Sequence, residues 1–232
     1  KVFRRTSALV QTRDAVIFGL SRLADSRDRE TGAHIARLQR LVVLLARQLR
    51  PHHPEIDEAW IERLRLATGL HDIGKVGIPD AILLKPGRLT PDERRIMQNH
   101  AEIGAQCLAA IGERLGENDF LAMARDIAWC HHEWWNGAGY PRGLRGTGIP
   151  LAARIVAVAD VYDAASSARV YKPAMSPDAV LALIISHRGV QFDPGVVNAF
   201  LAVEREFRAV CGVSAGGPAV PRRRRACALA KA

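Results

Sequence analysis

Several features that would indicate a membrane or secreted protein are missing from these 232 residues. No apolar run reaches the roughly 18 residues that a membrane-spanning helix needs. The best stretch, 41–49, is short and carries Arg47. The first residues show neither a signal-peptide pattern nor an initial Met, which favours a piece of a longer protein. We therefore expect a cytoplasmic protein without a membrane span.

Cysteines are also few. The four cysteines, Cys107, Cys130, Cys211 and Cys227, include no pair with CxxC spacing. This argues against a zinc knuckle and against a redox pair. We interpret all four as small apolar residues in a reducing compartment.

Acidic residues are outnumbered, since 33 Lys and Arg stand against 24 Asp and Glu and give a formal net charge of +9. A basic surface can attract nucleic acid, anionic membranes or phosphorylated small molecules. Four of these charges, however, come from the consecutive arginines 222–225, in a stretch rich in Gly, Pro and Ala. That composition is typical of a disordered tail, so we do not expect a nucleic acid polymer as a partner.

No strand pattern is present, whereas apolar residues recur at helical spacing along most of the chain. Thr90, Pro91 and Glu93 form a helix-start signature, and that helix is predicted to continue through His100 towards Ile111. Further helices are predicted at 1–20, 33–49, 56–70, 120–129, 151–167 and 179–186, and from Pro194 through Phe207. The pattern predicts an all-α fold of about eight to ten helices. We divide it into a linker helix (1–20), a main domain (21–210) and a disordered basic tail (211–232).

Five of the eight histidines lie in contexts that suit a metal site, whereas a lone histidine, such as His52, His53 or His187, is more often a surface or core residue. The favourable contexts are Glu30 with His34, which share a helix face, His71-Asp72 and His131-His132, which follow apolar helices, and His100. Lys75 is close enough in sequence to reach the same cleft. An ammonium group there would stabilise charge on a phosphate.

Asp160 ends an apolar run, 155–159, in a helix expected to be buried. Burying a carboxylate is costly unless it is paired or binds a metal. An ion pair with an arginine, for example Arg154, would explain Asp160 without a metal, and a helical ion pair or hydrogen bond would explain Glu30 and His34. The residues by themselves leave these alternatives open.

Taken together, the motifs resemble the HD-GYP family of cyclic di-GMP phosphodiesterases. The resemblance rests on His71-Asp72-Ile73-Gly74-Lys75 and Gly139-Tyr140-Pro141, with further matches at 30–34, 99–100, 131–133, 154–163, 167–172 and 191–194. It spans residues 21–210 and implies an HD-domain-like helical bundle with an additional C-terminal helical portion.

The resemblance also implies residue roles. Metal ligands match at Glu30, His34, His71, Asp72, His100, His131, His132 and Asp160. Asp72 matches the bridging carboxylate, and Glu30 and His34 match a pair found in members with a third metal. Lys75, with Asp72, matches the catalytic positions, and Tyr140, Arg169 and Lys172 match substrate-binding positions. The cofactors implied are two or three divalent ions, iron or manganese, which suit imidazole and carboxylate ligands.

The implied activity is metal-dependent hydrolysis of cyclic di-GMP to pGpG, GMP or both, in bacterial second-messenger signalling. The partners expected are an upstream sensory or receiver domain, signalling proteins that contact the Gly-Tyr-Pro loop, and a second copy bound through the N-terminal helix. The chain departs from the family at Asn136, where Asp is usual, and at Ala101, where Pro is common. Neither is a matched ligand, so we expect the metals to be retained. Asn136 removes a negative charge where partners would bind.

Two alternatives compete with this interpretation. The first is an HD-type phosphohydrolase of another nucleotide, against which the Gly-Tyr-Pro loop, Arg169 and Lys172 argue. The second is a non-catalytic module that binds a cyclic dinucleotide or a protein. The complete set of ligand positions argues against a degenerate site.

Overall fold

The computed structural model describes residues 15, 17, 19, 33–167 and 173–212. Ten α-helices lie in these residues: α1 Ala33–Leu49, α2 Glu58–Thr68, α3 Asp80–Leu83, α4 Pro91–Gln98, α5 His100–Leu115, α6 Asp119–Cys130, α7 Leu151–Ser166, α8 Pro177–Ser186, α9 Pro194–Ala202 and α10 Glu204–Val210. Short 3₁₀ helices lie at Arg50–His52, Ile73–Gly77 and Gly146–Gly148. The described ranges contain no strand, and the predicted all-α class is confirmed.

Local sequence signals explain where several helices begin. At α4, the Thr90 hydroxyl accepts the N–H of Glu93, and the Glu93 carboxylate accepts the N–H of Thr90 at 2.8 Å. This is the capping box that the sequence predicts. Asn118 and Ser176 likewise cap α6 and α8 by accepting backbone N–H groups.

Two helices predicted as continuous are each divided, so these predictions are wrong. The helix that follows Thr90 ends at Gln98, and His100 begins α5. At Asn99 the N–H bonds to the carbonyl three residues back, which tightens the turn and ends α4. The predicted last helix is divided at Val203, whose φ of −119° and ψ of 22° are not helical. Neither break contains a Gly or Pro that would have signalled it.

The main core is built around α7, which is apolar on nearly every side and packs against α1, α6, α8 and α9. Its Tyr162 packs against Phe200 and Phe207, with ring centroids 5.0–5.5 Å apart. The acidic residues of α7 therefore lie on a helix at the centre of the domain.

Some predictions concern residues outside the described ranges. Within the predicted linker helix, residues 15, 17 and 19 are helical, and Ile17 is buried in the main core. The rest of 1–20 lies outside, as does the predicted tail from residue 213 onwards. The domain boundaries therefore stay predictions. Among the described helices, none combines the length and the hydropathy needed to cross a membrane.

Gly74 lets the turn after α2 press directly against α5. An ideal Cβ at this position would lie 2.0 Å from the carbonyl oxygen of His100 and 2.5 Å from the amide nitrogen of Gly104. Both atoms belong to the backbone, so no side-chain rotation could relieve the clash. The absence of a Cβ thus brings His71-Asp72 beside His100.

We expect Gly74→Ala to lower the free energy of unfolding by about 1–3 kcal/mol or more, because the backbone of one segment must move. Urea denaturation followed by circular dichroism measures the loss. Gly148→Ala is the matched control, since a Cβ there meets no atom within 4 Å. Equal stability of the two variants would contradict the close approach at Gly74.

Candidate metal centre

Seven of the eight predicted ligands converge, although they come from five separate parts of the chain. Their candidate ligand atoms form two groups, and within each group the atoms lie within 4.8 Å of one another. One group is Asp72, His100, His131 and His132, and the other is His34, His71 and Asp160. The eighth, Glu30, lies outside the described residues, as do the predicted substrate-binding residues Arg169 and Lys172.

The grouping differs from the predicted division of the site. The sequence sets His34 apart with Glu30 as an extension for a third metal, whereas the structure places His34 together with His71 and Asp160. α1 runs alongside α7, and this packing brings the two helices' polar residues together. How the ligands are shared among ions stays a prediction.

Four imidazoles are oriented by a hydrogen bond at Nδ1. Three bond to backbone carbonyls three or four residues earlier, at 2.8–3.0 Å: His71, His100 and His131. His34 instead has its Nδ1 2.7 Å from Oδ2 of Asp163. An imidazole that donates from Nδ1 presents the lone pair of Nε2, which is the arrangement that metal-binding histidines use.

The atoms that face the middle of the site lack ordinary partners. Nε2 of His71, His100 and His131 and Oδ1 of Asp72 are buried and make no hydrogen bond with the described residues. Nε2 of His71 lies 3.2 Å from one Asp72 oxygen, and Nε2 of His100 lies 3.3 Å from the other. Since buried polar atoms are rarely left unsatisfied, these residues fit divalent cations that they would bind together.

Burial and mutual repulsion set the protonation of the cluster. Burial, followed by the charge of His71, lowers the pKa of His131 to about 4, and burial also holds the pKa of His132 well below its usual range. Burial also acts to lower the pKa of His71, but the Asp72 carboxylate outweighs it and raises that pKa to about 9. Burial acts to raise the pKa of Asp72, but the charges of Lys75 and His71 outweigh this effect. They hold the pKa of Asp72 well below its ordinary value. Asp72 is therefore ionised and His131 and His132 are neutral in the metal-free protein, whereas His71 must release its Nε2 proton when it binds a metal.

Lys75 lies at the edge of this cluster. Its Nζ is 2.8 Å from Oδ2 of Asp72, one turn away in the Ile73–Gly77 3₁₀ helix. The side chain is mostly buried, with 16% of its surface exposed. The structure therefore places a positive charge directly beside the carboxylate of the first group, which also lies 3.2 Å from Nε2 of His71 in the second.

Tyr140 forms a wall of the site within the segment 134–148, which we call the signature loop. Its ring stacks on His132, with centroids 4.7 Å apart and planes inclined by 25°. The Tyr140–Pro141 peptide bond is cis. An ideal Cβ on Gly139 would lie 2.2 Å from the amide nitrogen of Trp134, so only glycine lets the loop fold back onto the histidine pair.

Glu133 holds the signature loop closed, a role that sequence reasoning missed. The side chain is buried, and its two oxygens accept the backbone N–H groups of Arg142 at 2.7 Å and Leu144 at 2.9 Å. A carboxylate directly after two predicted ligand histidines and before a glycine-rich loop is the signal that could have found this role.

A second support comes from the turn 187–193, where two carbonyls accept the N–H groups of Trp135 and Asn136 at 3.0 Å. Asp193, at the end of this turn, pairs with Arg154 at 2.5 Å. Among the described residues, Arg154 is thus paired with Asp193 and not with Asp160. The Asn136 side chain accepts the N–H of Ala138 at 2.9 Å, a local turn that Asp could also form.

Asp160 and Asp163 lie one turn apart on α7 and both approach His34. Oδ1 of Asp160 is 3.8 Å from Nε2 of His34. Asp163 is almost fully buried, and although burial acts to raise its pKa, hydrogen bonds from His34 and Arg37 hold that pKa below its usual value. Sequence reasoning assigned no role to Asp163. Its spacing of three from Asp160 on a buried helix is the signal that was available.

We expect Glu133→Gln to loosen the signature loop, because an amide offers only one oxygen to two N–H donors. An unsatisfied buried donor costs about 1–3 kcal/mol. Hydrogen exchange read by NMR should show faster exchange of the Arg142 and Leu144 amides. Glu58→Gln, at an exposed carboxylate paired with Arg50, is the control and should leave both amides unchanged. Unchanged protection in Glu133→Gln would refute this role.

Comparison with known proteins agrees with the fold and the motifs. A family model described as HD domain matches residues 20–196. A cyclic di-GMP phosphodiesterase of Vibrio cholerae is 54% identical over 202 residues, covering 86% of this chain and 41% of that protein. The cyclic di-GMP phosphodiesterase response regulator RpfG of Xanthomonas campestris is 43% identical over 193 residues, covering 83% and 48%. The chain thus spans less than half the length of these relatives.

A solved structure supports the fold. The crystal structure of a cyclic GMP-AMP-specific phosphodiesterase of V. cholerae matches with a TM-score of 0.61 at 20% identity, covering 87% of this chain and 51% of that chain. The family model and the two relatives confirm the family resemblance drawn from the sequence. Because the HD domain model matches most of its length, the chain belongs to the HD domain family.

Proposed function

We propose that this chain is a phosphodiesterase of the HD-GYP type that hydrolyses cyclic di-GMP to pGpG, GMP or both. The observation that carries the proposal is the buried cluster of five histidines and two aspartates, with Lys75 and Tyr140 at its edge. Relatives named as cyclic di-GMP phosphodiesterases at 43–54% identity support this substrate.

The cluster has the donors that two or more divalent cations require. Bound there, such ions would supply positive charge to the scissile phosphate and lower the pKa of a bound water towards neutrality. Asp72 suits a bridging role because its two oxygens face His71 on one side and His100 on the other. Iron and manganese suit the donors, since no thiolate belongs to either group.

The neighbouring side chains suit the phosphate and bases of the substrate. The Lys75 ammonium would stabilise charge on the ribose 3′ oxygen as it leaves, opposite an in-line attack by water on phosphorus. The stacked ring of Tyr140 offers a flat wall against the dinucleotide. Arg169 and Lys172 are proposed to hold its phosphates, as the family resemblance implies.

A second candidate substrate is 3′3′-cGAMP, because relatives named as specific for it match at 33–38% identity. Both dinucleotides offer the same scissile phosphodiester to the cluster. The higher identity of the relatives named for cyclic di-GMP favours cyclic di-GMP. The upstream domain, partners at the signature loop, a homodimer and a cytoplasmic setting stay predictions from the sequence.

We expect His71→Ala and Asp72→Ala to lose bound metal and to lose at least about 100-fold in turnover, since each removes donors from the centre of the cluster. Anaerobically purified protein is analysed for metal, and products from cyclic di-GMP, 3′3′-cGAMP and mononucleotides are separated by chromatography. His52→Ala, at an exposed histidine, is the control and should change neither quantity.

Two outcomes would contradict different parts of the proposal. Wild-type protein that binds metal but leaves cyclic di-GMP intact would show that cyclic di-GMP is not the substrate. Full activity in the double variant His71→Ala, Asp72→Ala would overturn the assignment of the site.

We expect Lys75→Met to lower kcat by about 10²–10³-fold while bound metal is retained, because a charge that stabilises the leaving oxygen is lost. Steady-state kinetics with metal analysis measure both effects. Lys85→Met is the matched control, since Lys85 pairs with Glu93 instead of a cluster residue. A raised KM with unchanged kcat would show that Lys75 binds substrate without assisting departure of the leaving group.

A further inference from the structure

The imidazoles of the candidate metal centre differ in what holds them. His71, His100 and His131 bond through Nδ1 to carbonyls of their own segments, so the local backbone sets their orientation. Among the four imidazoles of this centre for which the described residues provide an Nδ1 partner, only that of His34 is bound there by a side chain, the carboxylate of Asp163. A carboxylate at Nδ1 fixes the ring and makes Nε2 a stronger donor.

The ring of His34 lies between two carboxylates of one helix. Asp163 is 2.7 Å from Nδ1, and Asp160, one turn earlier on α7, is 3.8 Å from Nε2. Asp160 and Nε2 of His34 are therefore separated by a space that one ion could occupy, whereas Asp163 contacts Nδ1 of the same ring. The geometry gives the two acidic residues different tasks.

Asp163 is itself held in place. Arg37, one turn after His34 on α1, donates to both Asp163 oxygens, with Nη2 at 2.9 Å from Oδ2. The same Nη2 donates to the Ser167 hydroxyl at 3.1 Å, and the Cys211 thiol lies 3.7 Å from Oδ1. These contacts keep Asp163 an acceptor aimed at His34.

We propose that Asp163 is a positioning residue that selects the Nδ1–H tautomer of His34 and thereby sets the affinity of one ion site, formed by His34, His71 and Asp160. The ion site of Asp72, His100, His131 and His132 does not depend on it. If Asp163 were only half of a buried ion pair with Arg37, its removal would weaken the fold without distinguishing between the two sites. The inference rests on the proposed metal centre but not on the identity of the substrate.

Isothermal titration calorimetry, in which Mn²⁺ is added to the metal-free protein, tests the proposal. Asp163→Asn keeps the size of the side chain but turns one oxygen into an NH₂ group that faces N–H donors. We expect one ion to bind about 10–100-fold more weakly and the other to bind as in the wild type. Electron paramagnetic resonance should show a coupled pair of Mn²⁺ ions in the wild type and an isolated ion in the variant.

Asp193→Asn is the matched control, because Asp193 is also a buried carboxylate paired with an arginine, Arg154. It should lower the unfolding temperature and leave both Mn²⁺ affinities unchanged. Wild-type binding of both ions by Asp163→Asn would overturn the proposal. An equal loss of Mn²⁺ affinity at both ion sites would also overturn the proposal.

The tautomer of His34 can also be read in the wild-type protein, so the test does not depend on a variant that folds. Long-range ¹H–¹⁵N correlation of the histidine rings, in metal-free protein, should show the proton of His34 on Nδ1. A proton on Nε2 would overturn the proposal even if Asp163→Asn proved insoluble. Wild-type protein that binds no Mn²⁺ would instead refute the metal centre, whereas bound Mn²⁺ without hydrolysis of cyclic di-GMP would refute only the proposed function.

Discussion

The carboxylate of Asp72 among buried imidazoles is the arrangement on which the rest of the site depends. Nε2 atoms from His71 and His100 approach its two oxygens from different sides, and the carboxylate stays ionised because Lys75 and His71 lie beside it. Burying so many polar atoms without hydrogen bonds would be costly. Divalent cations bound there would resolve the conflict, since one ion satisfies several lone pairs together. Charge is thus concentrated where the phosphate of the proposed substrate would enter.

Two close approaches of backbone to backbone bring these side chains together. Gly74 lets the turn after α2 touch the first turn of α5, and Gly139 lets the signature loop return to the histidine pair that follows α6. The ligands from these segments sit at helix ends, where the chain changes direction and side chains can point into a shared space. α7 is the exception, because it carries Asp160 through the middle of the core.

Two buried carboxylates that are not proposed ligands perform parallel tasks around the centre. Glu133 accepts two N–H groups of the signature loop, and Asp163 accepts from the imidazole of a proposed ligand, His34, and from an arginine. Neither role was predicted, because each depends on which donors meet the oxygens after folding. Asp163 and His34 are 129 positions apart in the chain, a separation that no local pattern reports.

The sequence by itself determined the helical class and most helix starts and predicted the types of metal ligand, because capping residues, apolar periodicity and adjacent His and Asp are local properties. Tertiary structure alone decided the breaks at Asn99 and Val203, the pairing of Arg154 with Asp193 and the grouping of His34 with His71 and Asp160. Partner choice among charged groups depends on which helices pack together. That packing is settled by the whole core and not by any one segment.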